Sequence, residues 1–574
     1  MSKQKLPQNL ERRIKMKKKN VWRLVALLLC SLLVVSVVAC GDDGKTDTSA
    51  SDTPSSNAPS SSAPSTSAPS NSVPESHTPG SAAPVEIDRD KDSDIVSARD
   101  TLKIAARGDA GTLLRSSAGG LANCLRQVNE PLWEFDDAGN LVFVLAESVD
   151  NWGEEVMTIH LRKDVKFSNG NDFTAEDVIF TINYDKADRP GTLREYNMEK
   201  TKIIDDHTIE LVLDPYGWAV HNGFAGYGIY DSKTFDEDTV VMNPVGTGPY
   251  VVTEYVINSH VYLKARDDYW GEKPKIENVH YIILNEDSQI VNALQTGAVD
   301  IVVTVPAQDI EYAQTLKGFN VRMYNHYSAP VLLFNLNPIS VMNSLDARLA
   351  VCYAVNRQAI LDLVYFGYGA IHYNHTTTYA VDYTPVLDDL NPVYRASPNS
   401  DIAREHAEKA GLVGKEITLI TNGTPAYITI AEILQNNLSE IGITAKIVNY
   451  DAASYRTAEV DPELYDIAVS VYGSPSRTGM SVLANYVDWY PTRYKDGWDG
   501  YDEYYALAMK MMAEANATDR EQEYIDLAHL FADQMLWFSL MDLYNGLAVN
   551  EDLANTGKWW SNMSIHANEW YWVK

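Results

Sequence analysis

The 574-residue chain carries 78 acidic against 47 basic side chains, a formal net charge of −31, and 45% of its residues are hydrophobic. A chain this acidic is a poor partner for nucleic acid or for an anionic membrane surface, and its length allows more than one compact unit around a large core. The surplus of negative charge suits an exported protein that must stay soluble.

Residues 1–39 reverse the sign, with nine cations against the single acid Glu11. Lys17, Lys18 and Lys19 precede the apolar run Val21–Ala39, the order of basic and apolar regions in an export signal. Met16, directly before the triplet, is an alternative start. A membrane-spanning anchor competes, because the run approaches the ~18 residues such a helix needs. Val37-Val38-Ala39-Cys40-Gly41 decides for export, since it resembles a bacterial lipobox, whose cysteine is diacylated and becomes the mature N-terminus. The expectation is a lipoprotein signal peptide over 1–39 and lipid attachment at Cys40. Two acyl chains would hold the protein on the outer face of the cell membrane, or in a periplasm. Residues 40–95 are rich in Ser, Thr, Pro and Ala and nearly free of large apolar side chains, so they read as a disordered tether.

The folded body opens with an alternating stretch, Thr101-Leu102-Lys103-Ile104-Ala105, followed by the loop Arg107-Gly108-Asp109. Cys124 and Cys352 are the cysteines of this body. They could pair, but Cys352 sits among Leu349, Tyr353 and Val355 on an expected helix, which favours a buried free thiol. Met157, Ile159 and Leu161 alternate with Thr158 and His160, the period of a half-buried strand. Asn169-Gly170 supplies a turn, Thr174 an N-cap with Asp177 three residues on, and Val178, Ile179 and Ile182 an apolar helix face.

The wording of this strand, turn and helix is specific. Leu161-Arg162, then Val165-Lys166-Phe167-Ser168-Asn169-Gly170 and Phe173-Thr174-Ala175-Glu176-Asp177-Val178, resembles the signature of the bacterial extracellular solute-binding proteins of family 5, the peptide- and nickel-capturing receptors of ABC importers. Further matches follow in order: Asn243-Pro244-Val245-Gly246-Thr247-Gly248-Pro249-Tyr250, Tyr269-Trp270-Gly271, Gln289 to Asp300, Phe334-Asn335, and Ala431 to Ile443. The glycines at 246 and 248 invite a phosphate loop, but no Lys-Ser/Thr pair follows, so that reading fails. Asp346 to Gly369 is expected as one long helix.

The resemblance implies an α/β, two-lobed periplasmic-binding-protein-like fold (type II, cluster C) with an extra subdomain in the first lobe. It divides the chain into lobe I over 96–326, including a subdomain over 135–242, lobe II over 327–543, and a return to lobe I over 544–574. The ligand would lie between the lobes, contacted by Asp109, Tyr327, Asn335, His372, Tyr472, Gly473, Ser474, Arg477 and Trp489. In peptide binders of this family an Asp soon after the strand that here reads Tyr465-Asp466-Ile467-Ala468-Val469 captures the ligand's amino terminus. This chain has Tyr472-Gly473-Ser474-Pro475-Ser476-Arg477 there, so the acid is missing and Arg477 either pairs an anionic group or is a solvated loop charge.

A search for catalysis finds no H-E-x-x-H, no G-x-S-x-G and no cysteine pair at metal spacing, so no enzyme, no catalytic residue, no cofactor and no metal site are expected. His372-Tyr373-Asn374-His375 leaves a nickel or haem-like ligand open. The leading expectation is a monomeric receptor that captures a peptide and delivers it to ABC permease and ATPase subunits, tied to the membrane by its lipid and without nucleic acid. The alternatives are an oligosaccharide or other non-peptide ligand, which 34 Tyr and 12 Trp would suit, and a metal chelate.

Overall fold

The computed structural model describes residues 96–109, 111–114, 121–135, 141–152, 154–188, 193, 196–214, 228–325, 328–380, 382–473, 478–489, 498–514, 516–556 and 565–574. The alternation at 157–161 forms the strand Val156–Leu161, with Met157, Ile159 and Leu161 at most 1% exposed. It lies in a four-stranded antiparallel sheet, in the order Ala146–Asp150, Val156–Leu161, Thr208–Val212, Lys202–Asp205. Gly170 turns the chain at φ +89°, and the helix Ala175–Asp188 follows. Asp177 is fully buried on that helix. One of its oxygens accepts from the Thr174 N–H and hydroxyl, the other from the Ser232 N–H and hydroxyl. The capping acid is thus also the rivet that brings residue 232 onto the helix.

The first lobe is built on an eight-stranded mixed sheet. Its path runs Phe319–Asn325, Asp542–Asn550, Ile301–Val305, Thr101–Ala106, Asn278–Ile283, His260–Ala265, Tyr250–Val256, and Gly369–Ala370 adds to the start of the second of these. Thr101–Ala106 pairs in parallel with both its neighbours, so it is central, and Leu102 and Ile104 are buried. Trp570 and Trp572 are buried against this sheet's core, and the Trp572 indole N–H donates to the Thr101 carbonyl at 3.0 Å.

The second lobe's sheet has five strands, in the order Thr444–Asn449, Glu416–Thr421, Ile467–Gly473, Ser328–Phe334, Trp537–Ser539. The helix Pro425–Glu440 covers it through Ile430, Leu434 and Leu438. The long helix expected over 346–369 is two helices, Leu345–Ala354 and Arg357–Val364. Val355 and Asn356 are extended between them, and the Asn356 side chain accepts from the Ala359 N–H at 2.9 Å, capping the second. Cys124 and Cys352 are both free and buried.

The quoted motifs meet where the four-stranded sheet joins the first lobe. Arg266, 5% exposed, donates to the carbonyls of Gly246, Gly248, Lys166 and Phe167, and so ties the signature loop to the glycine-rich one. A Cβ on Gly248 would stand 2.6 Å from the Gln127 carbonyl oxygen, because the backbone of 127–129 packs directly on this loop. The hydroxyl of Tyr269 and the indole of Trp270 both donate to the Glu130 carboxylate, at 2.6 and 2.8 Å.

Candidate functional site

The two lobes are joined by short passages. The strand Phe319–Asn325 of the first sheet is followed by Ser328–Phe334 of the second, and Trp537–Ser539 of the second by Asp542–Asn550 of the first. Antiparallel pairing sets Ser328 opposite Gly473 and Val331 opposite Ser539, so these strand ends share the edge of the second sheet from which the chain crosses.

Behind it lies a buried polar knot. His372 Nδ1 is 3.0 Å from Asp542 Oδ1, and its Nε2 is 2.7 Å from the Ser539 hydroxyl. The Thr378 hydroxyl donates to Asp542 Oδ2 at 2.5 Å and the Thr378 N–H to Oδ1 at 3.2 Å. Burial pushes the Asp542 carboxyl up, but the His372 charge and hydrogen bonds from His372, Thr378 and Thr377 outweigh it and hold the acid below its ordinary range. Arg357, 2% exposed, donates to the carbonyls of His372, Leu540 and Tyr394, with the rings of Phe538, Tyr394 and Tyr373 around its guanidinium. Burial brings its pKa down to about 10. One guanidinium therefore ties a helix start, the 372 loop and the crossing segment together.

Two further groups brace the same loop. Asp382 accepts from the N–H groups of Gly479 and Met480, at 2.7 and 2.9 Å, at the start of the helix Gly479–Trp489. Burial raises its pKa to about 6 against the pull of those two donors. His375 is enclosed by Phe531 and Tyr524, and its carbonyl accepts from the Trp537 indole at 2.7 Å. Burial, then the neighbouring His372, lowers its pKa to about 3.

Four expected contacts are used by the fold instead. Asn335 is fully buried; its amide donates to the carbonyls of Pro462 and Tyr465 at 2.8 and 2.7 Å, and its oxygen accepts from the Asn337 N–H. Tyr472 is 9% exposed with its ring 4.7 Å from that of Trp537, a core position. His372, 3% exposed, has both ring nitrogens engaged in the knot. The carboxylate of Asp109 accepts from the Gly111 N–H, the Tyr255 hydroxyl and the Asn258 N–H, which fixes its loop to the turn between Tyr250–Val256 and His260–Ala265. Cys40, Tyr327, Ser474 and Arg477 lie outside the described residues. Gly473 and Trp489 are described only as the backbone ends of a strand and a helix.

The reading of the sequence missed Arg357, Asp382, Ser539 and Asp542. For Asp542 the signal was present, an acid in the run Trp537–Leu543, whose other members are apolar except Ser539 and where only a buried partner makes a carboxylate tolerable. For Asp382 nothing local distinguishes it from a loop acid.

Comparison with known proteins agrees with this architecture. The di/tripeptide-binding protein 1 of Pseudomonas aeruginosa is 28% identical over 362 residues, 56% of this chain and 66% of that protein, so the alignment spans less than two thirds of the relative's length. Among solved structures, the oligopeptide-binding protein AppA of Bacillus subtilis, in complex with a nonapeptide, superposes with a TM-score of 0.71 at 19% identity, over 83% of this chain and 99% of that one. NikA of Staphylococcus aureus, in complex with Ni(L-His)2, superposes with a TM-score of 0.68 at 18% identity, over 79% and 96%. At these identities the superpositions speak for the two-lobed fold alone. Residues 140–489, well over half of the chain, match the family described as bacterial extracellular solute-binding proteins, family 5 Middle, and the chain belongs to that family.

Proposed function

We propose that this protein is the peptide receptor of an ABC importer, a monomer that captures an extended peptide between its lobes and delivers it to a permease driven by ATPase subunits. The observation that carries the reading is the pair of sheets joined by short passages at 325–328 and 539–542, in a chain of this family. Strand ends beside a cleft offer backbone donors and acceptors that bind a peptide main chain whatever its side chains, which suits a receptor for mixed peptides. The lobes divide near Tyr327 and Leu543, and hinge bending about the passages closes them. Tyr327, Gly473, Ser474, Arg477 and Trp489 remain the proposed contacts. Asn335, Tyr472, His372 and Asp109 are withdrawn from that set because their polar groups or rings serve the fold. Attachment through Cys40 keeps the receptor beside its permease, and Cys40→Ala should yield unprocessed or released protein.

Calorimetric titration with a peptide pool, its N-acetylated counterpart and a panel of β-linked oligosaccharides tests the reading, alongside mass spectrometry of ligand that co-purifies with the protein. Saturable binding of peptides supports it. Binding of sugars alone, or of a nickel chelate alone, overturns it.

A further inference from the structure

The passage that returns from the second lobe to the first is fastened on one side only. Leu540 and Met541 are fully buried, and the Leu540 N–H donates to the Pro330 carbonyl at 2.9 Å. The Leu540 carbonyl accepts from Arg357. His372 spans the segment, with Nε2 at 2.7 Å from the Ser539 hydroxyl before it and Nδ1 at 3.0 Å from Asp542 after it. A carboxylate only accepts, so Nδ1 carries a proton and donates, while Nε2 is held by Ser539. Thr378 donates to Asp542 from the same loop through both its N–H and its hydroxyl. Pro330 lies on a strand of the second sheet, Arg357 opens a second-lobe helix, and the loop that carries His372 and Thr378 is held to that sheet by the Trp537 indole on the His375 carbonyl. Every one of these bonds ties residues 539–542 to the second lobe.

From Gly546 onward the attachment reverses. Gly546 pairs with Met323 on one side and Val305 on the other, both strands of the first sheet, and a Cβ there would stand 3.1 Å from Ile310. Between the two regimes lie Leu543, Tyr544 and Asn545, which are half-buried where 540–542 and 546–549 are buried. These residues are bonded to both sides. Asn545 and Tyr544 pair with Tyr324 and Asn325 of the first sheet. Leu543 pairs with Gly369, and the Tyr544 N–H donates to the Tyr368 carbonyl at 3.2 Å, both in the turn that follows the second-lobe helix Arg357–Val364. The Tyr379 hydroxyl, from the continuation of the His372 loop, donates to that of Tyr544 at 3.2 Å.

We infer that His372 is a positioning residue that welds the return passage to the second lobe as far as Asp542, so that bending on this passage is confined to Leu543–Asn545. A bend within 539–542 would have to break buried hydrogen bonds on both nitrogens of His372 and leave the Asp542 carboxylate short of partners in a place water does not reach. A bend at 543–545 redistributes half-buried bonds that already look to both lobes, which is the cheaper motion. His372 then acts on ligand capture by fixing where the lobes turn, and not by touching the ligand. The inference rests on the hinge-bending part of the reading above.

Amide hydrogen exchange of the full chain, followed by mass spectrometry of overlapping fragments, tests it, because exchange reports local opening segment by segment. In the unliganded parent, amides of 540–542 should exchange at least tenfold more slowly than those of 543–545. His372→Leu removes both bonds of the weld, and should speed exchange at 540–542 at least tenfold while the second-sheet fragments 331–334 and 467–471 stay within twofold. Ser539→Ala removes one bond and is the milder variant, with at least a threefold increase at the same place. Equal exchange at 540–542 and 543–545 in the parent overturns the inference and needs no variant to fold. So does a Ser539→Ala effect that is absent, or that spreads evenly over the second sheet, since a merely structural role would loosen the whole lobe. Adding the peptide pool of the titration above separates this from the wider reading: protection should change at 543–545 and not at 540–542. A change centred on 540–542 overturns the pivot and keeps hinge bending, whereas no change in any fragment counts against peptide-driven closure itself.

Discussion

Replacing His375 by phenylalanine should flatten the acid limb of this protein's stability curve. The imidazole is 2% exposed, its Nδ1 has no hydrogen-bond partner among the described residues, and Nε2 meets only the Tyr524 hydroxyl at 3.4 Å. Burial holds its pKa near 3 in the folded protein, against the ordinary 6.5. A depressed folded-state pKa means that the stability is fully present above pH 6.5. Below that pH the unfolded chain takes up a proton that the folded one refuses, and stability falls until the folded pKa is reached. Each pH unit in that window costs about 1.4 kcal/mol, so this one residue removes about 2 kcal/mol between pH 6.5 and 5. Phenylalanine has a similar volume and suits the pocket formed by Phe531 and Tyr524, so at pH 7.5 the variant should stay within about 1.5 kcal/mol of the parent. Urea unfolding followed by tryptophan fluorescence at pH 7.5, 6.5, 5.5 and 5.0 gives the comparison, with Trp537 beside the site as a local reporter. The difference between the two proteins should shift by about 2 kcal/mol in the variant's favour across the series. Parallel curves, with the difference constant within about 0.5 kcal/mol, would refute a neutral buried His375.

Three further outcomes follow from the same geometry. Asp382→Asn should show the opposite pH trend: the acid's folded pKa is raised to about 6, so its stabilising contribution is present below its ordinary value of 3.8 and fades as pH rises through 6, and the variant should gain on the parent over that window in thermal melts. Gly248→Ala forces a methyl to within 2.6 Å of the Gln127 carbonyl oxygen, and should cost about 3 kcal/mol or more in chemical denaturation, where a surface glycine would cost a few tenths. Cys124 and Cys352 should stay unlabelled by a maleimide in the native protein and react fully in denaturant, as read by peptide mass spectrometry, because both are buried and burial raises both thiol pKa values.

What could be read from the sequence was whatever the backbone imposes on residue type. Gly246, Gly248 and Gly170, Thr174 with Asp177, and the Tyr269-Trp270 pair are legible because a close approach, a positive φ, a cap or an acid receptor tolerates few alternatives there. Those are structural demands, so they identified the fold and left the ligand open. The polar knot was illegible for a different reason. His372 and Asp542 are 170 residues apart, and nothing near either says that they meet. Asn335 illustrates the converse error: a polar residue at the end of an apolar strand looks available, yet it is there to satisfy the carbonyls of Pro462 and Tyr465. The break at Val355-Asn356 carried a readable sign, an asparagine three residues ahead of the N–H it caps, overruled by the helical periodicity on both sides.

The place of the strand Asp542–Asn550 bears on how the protein is made. It is inserted between Phe319–Asn325 and Ile301–Val305, in the interior of the first lobe's sheet, whereas every strand of the second sheet comes from the unbroken stretch Ser328 to Ser539. A chain emerging from its N-terminus can therefore complete the second lobe first, while the first lobe, begun at Thr101, waits for residue 550 with two strand edges unpaired. Closing that sheet requires contacts across more than 400 residues, such as Leu547 and Val549 with Leu102 in one buried cluster, and contacts so distant in the chain carry a high loop-closure cost. Until then the half-built lobe keeps those two edges open to mispairing, and a chain stopped before residue 542 would have no strand of its own to close them.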